Sequence, residues 1–273
     1  MSILAAADFE VLSSVIYKRA GIVLSKEKEY LLESRLMPLV RSHGFGGLDE
    51  LAGQVRNGGD EALLREVTEA MTTNETLFFR DIKPFDQFRD VIVPYLLANR
   101  PPSHPIRIWS AAASTGQEAY SLAMVIKELG GEIAKRRIEI LGTDLSRAAL
   151  DKARVGIYSQ FEIQRGLPIQ MLVKYFKQTN EIWQIDSALR AMVNFRELNL
   201  LEDFSALGKF DIVYCRNVLI YFDKETKADI LGRIRAVLRP DGYLSLGGAE
   251  TIIGVTDAFR RVPDSRGLYA PAP

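Results

Sequence analysis

The spacing of apolar residues predicts that residues 1–80 form an all-helical domain. In the first predicted helix the apolar side chains recur every three or four positions and share one face, formed by Phe9, Leu12, Ile16 and Tyr17. Gly21 ends this helix, because glycine readily adopts the left-handed conformation found after helix ends. Three further amphipathic stretches follow, marked by Ser25, Leu48 and Leu63. Together these helices can bury a small core.

The segment Met71–Arg80, with the sequence MTTNETLFFR, interrupts this helical pattern. Its hydroxyl and amide side chains compete with the backbone for hydrogen bonds and favour a turn or a cap. Taken alone, the segment is typical of a capped helix start followed by two buried rings, Phe78 and Phe79. Residues 81–98 then predict a connecting helix. The proline-rich residues 99–105 predict a linker, because proline fits neither helix interiors nor sheets.

From residue 106 onward, short apolar runs alternate with amphipathic helices, which is typical of an open α/β sheet. Residues 106–112 predict a strand, and a turn of Ala, Ser, Thr and Gly leads into a helix whose apolar face starts at Ala119. Small side chains let a ligand approach the backbone, and a helix start offers unpaired N–H groups. The turn holds one glycine, Gly116, and so lacks the complete G-x-G-x-x-G spacing of dinucleotide sites.

Polar residues collect where the predicted strands end. Strands at 138–143, 192–198 and 210–215 lead into Asp144, Asn199-Leu200 and Arg216-Asn217, and Glu118 follows the first turn. Ligands of open α/β sheets bind beyond the carboxyl ends of the strands, so these residues predict one nucleoside site. Asp144 suits the ribose hydroxyls. The alternative is that Asp144 or Ser146 caps the following helix at residues 147–155.

Two further stretches depart from the alternation of strands and helices. Residues 156–190 predict an insertion with one or two antiparallel strands, since residues 182–185 alternate between apolar and polar. Near the end of the sequence, two short strand-like pieces at 259–262 and 267–270 flank a turn that contains Pro263. This arrangement predicts a closing β-hairpin.

Composition narrows the function classes. The chain has 273 residues and a formal net charge of zero, which argues against a nucleic-acid coat or a disordered tail. It carries one cysteine, Cys215, and two histidines, His43 and His104, without a metal-ligand spacing. No apolar run approaches membrane-spanning length, and the first residues lack the basic start of a signal peptide. We therefore expect a cytoplasmic protein without a bound metal, a disulfide or a membrane insertion.

Five motifs, in their order along the chain, resemble one known family: MTTNETLFFR, IWSAAASTGQEAYSLAM, GTDLSRAALDKAR, NLL and CRNVLIYFD. They are similar to the bacterial chemotaxis receptor methyltransferases of the CheR type, and the similarity spans nearly the whole chain. The resemblance implies a helical N-terminal domain at 1–80, a connecting helix and linker at 81–105, and a Rossmann-like α/β methyltransferase domain at 106–273. It also implies a small antiparallel β-subdomain inserted in the latter at about 156–190.

The same resemblance implies the activity, which is methylation of receptor glutamates by S-adenosylmethionine, giving γ-glutamyl methyl esters and S-adenosylhomocysteine. Carried over residue by residue, the family's cofactor contacts fall on Asn74, Thr76, Arg80, Glu118, Asp144, Asn199, Leu200, Arg216 and Asn217. The segment Met71–Arg80 then becomes a lid over the cofactor. Ala113 and Ala119 depart from the family pattern, in which cysteine and proline are frequent at these positions.

The implied chemistry is an in-line displacement in which a glutamate carboxylate attacks the sulfonium methyl. A glutamate with a pKa near ~4.3 is ionised at neutral pH, so no general base is needed. We expect Arg80 to steer the carboxylate, because a guanidinium can hold one oxygen and leave the other free to attack. Tyr221 is the second catalytic candidate, as a wall or donor beside the methyl, or it is an ordinary packing residue. Glu118 suits the cofactor's ammonium or ribose.

The expected partner is the cytoplasmic domain of a methyl-accepting chemotaxis receptor, and we expect no nucleic acid and a monomer. Residues 1–80 hold nine Lys/Arg against twelve Asp/Glu, so a basic receptor-binding surface there must be local. Lys28 and Arg35 share one helix face, and a solvated mixed-charge helix is equally compatible with them.

Some family members bind a receptor pentapeptide through a longer, glycine-bearing loop of the β-subdomain. The loop between Phe176 and Trp183 is short and lacks glycine, which predicts action without that pentapeptide. Two alternatives stay open from the sequence. One is a catalytically silent scaffold or sensor that binds S-adenosylmethionine, and the other is the same chemistry in a chemosensory pathway unrelated to motility.

Overall fold

A computed structural model describes residues 4–273 of the chain. The described residues divide into two compact units. The first unit contains the chain up to Thr73 together with Tyr221–Thr226, and the second contains Asn74–Ile220 and Lys227–Pro273. By its contacts, the segment that begins at Asn74 therefore belongs to the second unit. No helix within residues 4–273 is both long and apolar enough to cross a membrane.

From residue 4 onward, the first unit contains four α-helices, α1 Ala6–Ala20, α2 Glu29–Ser42, α3 Leu48–Arg56 and α4 Glu61–Ala70. Gly21 ends α1 with φ at 70°, in the left-handed region that glycine adopts at low cost. Asp60 caps α4 by accepting a hydrogen bond from the Leu63 N–H. The Ser25 side chain makes no capping bond, and a short 3₁₀ turn, Lys26–Lys28, leads into α2 instead. The apolar faces of the helices meet in one core.

The predicted connecting helix is present in three consecutive parts. These are α5 Lys83–Gln87, a π-helical turn at Phe88–Ile92, and α6 Val93–Asn99. Pro84 stands in the first turn of α5, where its missing N–H leaves no internal bond unmade, and Pro94 follows directly on the π-helical turn. The buried face of these helices joins the core of the second unit through Phe85, Phe88 and Leu96.

Ten strands form the two sheets of the second unit. Their bounds are β1 Ile106–Ala111, β2 Ile138–Asp144, β3 Ile157–Ser159, β4 Phe176–Thr179, β5 Ile182–Ile185, β6 Val193–Glu197, β7 Phe210–Cys215, β8 Leu238–Leu246, β9 Phe259–Arg261 and β10 Leu268–Pro271. The larger sheet has the order β6-β2-β1-β7-β8-β10-β9. Its first five members are parallel, and β10 and β9 are antiparallel additions. The parallel strands therefore place their carboxyl ends at one edge of the sheet.

The remaining helices connect these strands. They are α7 Gln117–Leu129, α8 Gly131–Ala134, α9 Arg147–Val155, α10 Gln160–Gln164, α11 Ile169–Tyr175, α12 Ser187–Arg190 and α13 Lys224–Val237. Asp223 accepts a hydrogen bond from the Thr226 N–H at 2.8 Å and so caps α13. This alternation of strands and helices confirms the predicted α/β fold.

The insertion contains three strands, whereas the alternating pattern alone indicates one or two. Strands β3, β5 and β4 pair antiparallel in a separate three-stranded sheet, and α10 and α11 lie between β3 and β4 along the chain. The predicted antiparallel subdomain is therefore confirmed. The third strand, Ile157–Ser159, is too short for its residues to show a period of two.

Irregular backbone marks the start of β8 and the end of β7. Strand β8 begins at Leu238, because Leu238 pairs with Phe210 across a register shift before the regular ladder resumes at Tyr243. After β7, the apolar residues VLIYF do not continue the strand. Asn217 has φ at 58°, and a 3₁₀ turn follows at Leu219–Tyr221. The left-handed residue turns the chain away from the sheet directly after its carboxyl end.

Candidate functional site

The turn between β1 and α7 is tightly coiled, with left-handed φ angles at Ala112, Ser114 and Gly116. At Gly116, where φ is 93°, a Cβ atom would lie 3.0–3.1 Å from the side chains of Ala153, Phe195 and Tyr120. Such contacts leave no room for a larger residue. Glycine is therefore required at this position both by conformation and by packing. The turn delivers the chain into the thirteen-residue helix α7 at the carboxyl edge of the sheet.

Asp144, at the end of β2, fastens two turns together. One carboxylate oxygen accepts the Ser114 N–H at 2.8 Å, and the other accepts the Ser146 N–H at 2.9 Å. The residue is 8% exposed. The cap of α9 is Ser146, whose hydroxyl accepts the Ala149 N–H at 3.2 Å. Of the two capping residues that the sequence allows, Ser146 caps this helix through its side chain.

Asn74 lies beside the same two turns. Its carbonyl accepts a hydrogen bond from the Ser114 hydroxyl at 2.7 Å, and its side-chain amide donates to the Ser146 hydroxyl at 3.4 Å. The structure thus brings Asn74 together with Asp144, through Ser114 and Ser146, although the two predicted residues are far apart in sequence. Thr76, two residues further on, is half-buried.

Two buried rings anchor the segment that carries Asn74 and Arg80. Phe78 packs edge-on against Tyr158 and Phe176 of the small sheet, with ring centroids 5.0 and 5.4 Å away. The backbone N–H of Phe79 donates to the Ser121 hydroxyl on α7 at 3.0 Å. The two buried rings predicted for this segment are present, but no helix starts in it, and polar groups of the same segment contact the strand ends.

The backbone of this segment is strained. Phe79, Asp81 and Ile82 have φ angles of 51°, 69° and 50°, a region that costs non-glycine residues on the order of 1–3 kcal/mol each. Surrounding packing must supply that energy, and the buried rings described above are part of it. Strain of this kind clusters where a segment must hold functional groups in one geometry.

Arg216, directly after β7, is the buried centre of an ion-pair cluster. Its guanidinium donates to Glu118 at 2.8 Å, to Asp81 at 2.7 Å and to the Arg80 carbonyl at 2.9 Å. The other oxygen of Glu118 accepts a bond from the Ser110 hydroxyl at 2.7 Å. The Arg216 side chain is 2% exposed, and its Nε has no hydrogen-bond partner among residues 4–273. One buried cation therefore fixes the ends of β1 and β7, the start of α7 and the residues after Phe79.

The Arg80 side chain is half-buried and donates to the Glu75 carbonyl at 3.0 Å. The Glu75 carboxylate accepts a hydrogen bond from Arg165 at 2.8 Å, and this bond holds the pKa of Glu75 below its usual range. The bond also links the strained segment to the loop between α10 and α11. The Arg80 guanidinium keeps further N–H donors beyond the one that it uses on Glu75.

The remaining predicted contacts follow β6 and β7. The Asn199 side-chain oxygen accepts the Leu201 N–H at 3.0 Å, Leu200 is buried, and the Leu198 N–H donates to the Asp144 carbonyl at 3.0 Å. Asn217, in its left-handed conformation, follows Arg216 at the end of β7. Asn199 follows β6, the neighbour of β2 on one side. Asn217 follows β7, which β1 separates from β2 on the other side.

Glu250 is a residue that the sequence prediction misses. Its two oxygens accept backbone N–H groups of Asn217, Val218, Leu219 and Gly247 at 2.6–2.9 Å. The carboxylate thereby ties the loop after β7 to the loop after β8. No local signal marks it, because GGAET carries no recognisable pattern and the bonded loop lies more than thirty residues earlier. Asp81 and Ser110, which contact the Arg216 cluster, are missed for the same reason.

Tyr221, the second catalytic candidate, is grouped by its contacts with the first unit. Its carbonyl accepts the Val23 N–H at 3.0 Å, and its side chain is half-buried. Nearby in that unit, the Tyr17 hydroxyl donates to Asp223 at 2.7 Å, and this bond raises the pKa of Tyr17. The catalytic role of Tyr221 stays a prediction.

The residues of the second unit suit a nucleoside with a charged amino-acid tail. Small side chains line the turn into α7, a carboxylate stands at the end of β2, and the buried Arg216 keeps one unused donor. These are the groups that an adenosine ribose, an ammonium and a carboxylate require. Within residues 4–273 no group of three or more His, Cys, Asp or Glu side chains could hold a metal ion.

Comparison with known proteins places both units in one family. Residues 74–268 match the family described as "CheR methyltransferase, SAM binding domain", and residues 7–72 match "CheR methyltransferase, all-alpha domain". Among similar proteins are the chemotaxis protein methyltransferase 1 of Pseudomonas aeruginosa, 44% identical over 97% of both chains, and Cher2 of Pseudomonas putida, 41% identical over 96% of both. A chemotaxis protein methyltransferase 1 of Vibrio cholerae is 41% identical over 92% of this chain and 91% of its own length.

These matches cover nearly the whole chain at identities well above those that chance produces. They agree with the strand ends, the helical first unit and the inserted sheet. The chain therefore belongs to the CheR methyltransferase family and uses S-adenosylmethionine as its cofactor.

Proposed function

We propose that this methyltransferase transfers methyl groups to glutamate side chains in the cytoplasmic domain of bacterial chemoreceptors, giving γ-glutamyl methyl esters. The observation that supports this most directly is the shared edge of the sheet. Two hydrogen-bond networks lie there: one joins Asn74 to Asp144 through Ser114, and the other joins Arg216 to Glu118 and to the backbone of Arg80. The names of the related chemotaxis methyltransferases support the choice of a chemosensory substrate.

Several residues are placed to hold the cofactor, which when bound supplies an electrophilic methyl on a positively charged sulfur. Asp144 suits the ribose hydroxyls, and the helix start after Gly116 leaves backbone N–H groups available. Glu118 and the unused Nε of Arg216 suit the ammonium and carboxylate of the amino-acid tail. Asn74, Thr76, Asn199, Leu200 and Asn217 are proposed to complete the contacts.

No general base is required for a carboxylate substrate. A glutamate side chain has a pKa of about 4.3 and is ionised at neutral pH, so it is already a nucleophile. Neither histidine of the chain falls in a proposed contact motif. The chain must instead exclude water, because water stabilises the separate charges of an anionic nucleophile and a cationic methyl donor more than the transition state.

Arg80 is proposed to steer the substrate carboxylate. The segment around it is held by two buried rings and by the Arg216 cluster, so its position is fixed from both ends. One guanidinium N–H is used on the Glu75 carbonyl, and others remain for a carboxylate oxygen. Holding one oxygen leaves the second free to attack in line. Tyr221 is proposed as a second catalytic residue.

We also propose that the enzyme needs no receptor pentapeptide. The loop between β4 and β5 contains only Asn180 and Glu181, and Asn180 takes the left-handed conformation with φ at 55°. A two-residue connection offers little surface beyond the sheet for gripping a peptide.

The experiment uses S-adenosylmethionine with a tritiated methyl group and membranes that carry chemoreceptors. We expect label in the receptor band that is released by base as volatile methanol, the signature of a methyl ester. Receptors whose methylatable glutamates are replaced by alanine are the control and should stay unlabelled. Base-stable label would show methylation of another group, and cofactor binding without any label would show a silent scaffold.

A further inference from the structure

The carboxyl edge of the large sheet extends beyond the proposed cofactor contacts. Next to β7 come β8, β10 and β9 in that order. Strand β8 ends at this edge with Leu246, and the antiparallel strand β10 begins there, since Leu268 pairs with Ser245. Strand β9 ends there with Arg261, which pairs with Tyr269. The loops that join these strands therefore lie beside the Arg216–Leu219 loop.

A pocket of about 370 Å³ is formed by these loops. Three arginines line it, Arg260, Arg261 and Arg266, and all three are exposed. Arg266 donates to the Gly248 carbonyl at 3.2 Å. None of the three forms an ion pair with a carboxylate of residues 4–273, although other arginines of this unit are paired. The pocket therefore holds three cationic side chains that form no ion pair within the described residues.

The one carboxylate that lines this pocket is already in use. Both oxygens of Glu250 accept backbone N–H groups, four in all, from the loops after β7 and β8. Asp257 and Asp264, the nearby acids in sequence, are exposed and do not line the pocket. Ile253, 82% exposed, adds an apolar surface to the same pocket. Cationic groups around an apolar contact suit an acidic peptide segment.

We propose that this pocket binds an acidic segment of the substrate protein and so presents the neighbouring glutamate for methylation, an inference that rests on the proposed function. The pocket adjoins the proposed cofactor site at Glu250. This residue lines the pocket and also accepts the backbone N–H of Asn217. Charge complementarity selects the occupant, because the substrate must carry carboxylates and the pocket presents three arginines. The bound segment keeps its acidic side chains on the arginines while another carboxylate enters the site.

The spacing of the strands limits how far the bound acidic residues can lie from the methylated glutamate. Neighbouring strands lie about 4.8 Å apart, so β8, β10 and β9 are roughly 5, 10 and 14 Å from β7. A substrate segment that forms an α-helix advances about 1.5 Å per residue along the helix axis. The acidic residues that bind the pocket are therefore expected within about three helical turns of the methylated glutamate, on the same face of the substrate helix.

The test compares enzyme variants and substrate variants. The double variant Arg260→Gln/Arg261→Gln removes two pocket charges, and the control Lys135→Gln/Arg137→Gln removes two charges near the opposite edge of the sheet, just before β2. We expect the pocket variant to raise the KM for receptor about tenfold, to leave kcat and cofactor affinity unchanged, and to show a weaker salt dependence of KM than wild type. The control variant should behave as wild type.

The substrate arm uses a synthetic receptor peptide with wild-type enzyme, so it does not depend on the folding of a variant. Replacing the acidic residues within three turns of the methylated glutamate by glutamine should raise KM by a similar factor. It should add little in the pocket variant, because both changes remove the same contacts. Equal KM values for the acidic and glutamine peptides, or for the pocket variant and wild type, would overturn the inference. Absence of base-labile label in receptor-bearing membranes with wild-type enzyme would instead refute the proposed function.

Discussion

Replacing Asp144 by alanine is expected to weaken both the fold and cofactor binding, because its carboxylate holds two backbone turns and is also proposed to bind the ribose. Its oxygens accept the N–H groups of Ser114 and Ser146, residues that are 7% and 2% exposed. Alanine leaves both donors buried without this acceptor. Hydrogen bonds to charged groups contribute about 1.5–3 kcal/mol each, so the loss in the free energy of unfolding is about 3–6 kcal/mol. For a unit of about 200 residues this corresponds to a melting temperature lower by about 10 °C or more.

The variant Asp144→Asn separates the two roles. It keeps one oxygen to accept a backbone N–H, so its loss of stability should be about half that of alanine. If the carboxylate also binds the ribose hydroxyls, asparagine should still raise the cofactor Kd by about tenfold or more. Calorimetric titration with S-adenosylhomocysteine measures the Kd, and scanning calorimetry measures the melting temperature.

The matched control is Asp151→Asn on α9, which removes an exposed carboxylate paired with Arg154. It should change neither the melting temperature nor the Kd, since exposed pairs contribute little. An Asp144→Asn protein that binds the cofactor within twofold of wild type would refute the ribose assignment. An Asp144→Ala protein that melts within about 2 °C of wild type would refute the estimate made from the two hydrogen bonds.

Four further predictions concern other parts of the molecule. Arg80→Ala should lower kcat for receptor methylation far more than it weakens cofactor binding, and equal losses would make Arg80 a cofactor ligand only. Arg100→Leu should lower the free energy of unfolding, measured in urea, by about 3 kcal/mol. The reason is that Asp211, whose side chain is fully buried, loses a guanidinium partner at 2.9 Å. The methylation rate per folded molecule should not change. The hydrogen bond from Arg100 lowers the pKa of Asp241, so their pair stabilises the protein above about pH 3.9 and is lost as the pH falls through the lowered pKa. Wild type should therefore be more stable than Asp241→Asn at pH 7 but not near pH 2, and a constant difference would contradict this assignment. Deleting the last five residues of a receptor should leave its methylation rate unchanged, and a tenfold loss would show that the β-subdomain does bind that end.

The strained segment around Phe79 shows how far sequence reasoning can reach. Its polar residues and paired rings already indicate a break in the helices and two buried side chains. The left-handed angles at Phe79 and Ile82 have no such signal, because bulky and β-branched residues avoid them in isolation. They exist here because contacts to Ser121, Tyr158 and Arg216 from distant parts of the chain outweigh the local cost.

Most secondary structure, and the positions at which polar groups meet strand ends, follow from the sequence itself. Apolar period and turn residues act over a few positions, so they define the helices of the first unit, the parallel strands and the closing hairpin before any tertiary contact is considered. Asp144 and Arg216 could be singled out for the same reason, since each directly follows an apolar run.

Only the tertiary structure decided which partners those polar groups take. Arg216 pairs with Asp81, 135 positions earlier, and Glu250 accepts the Leu219 N–H 31 positions before it. The order of strands in the sheet likewise brought the arginines of the last hairpin to the edge where Asp144 lies. Such pairings depend on how the folded chain brings distant segments together, and no local periodicity encodes a distance across a sheet.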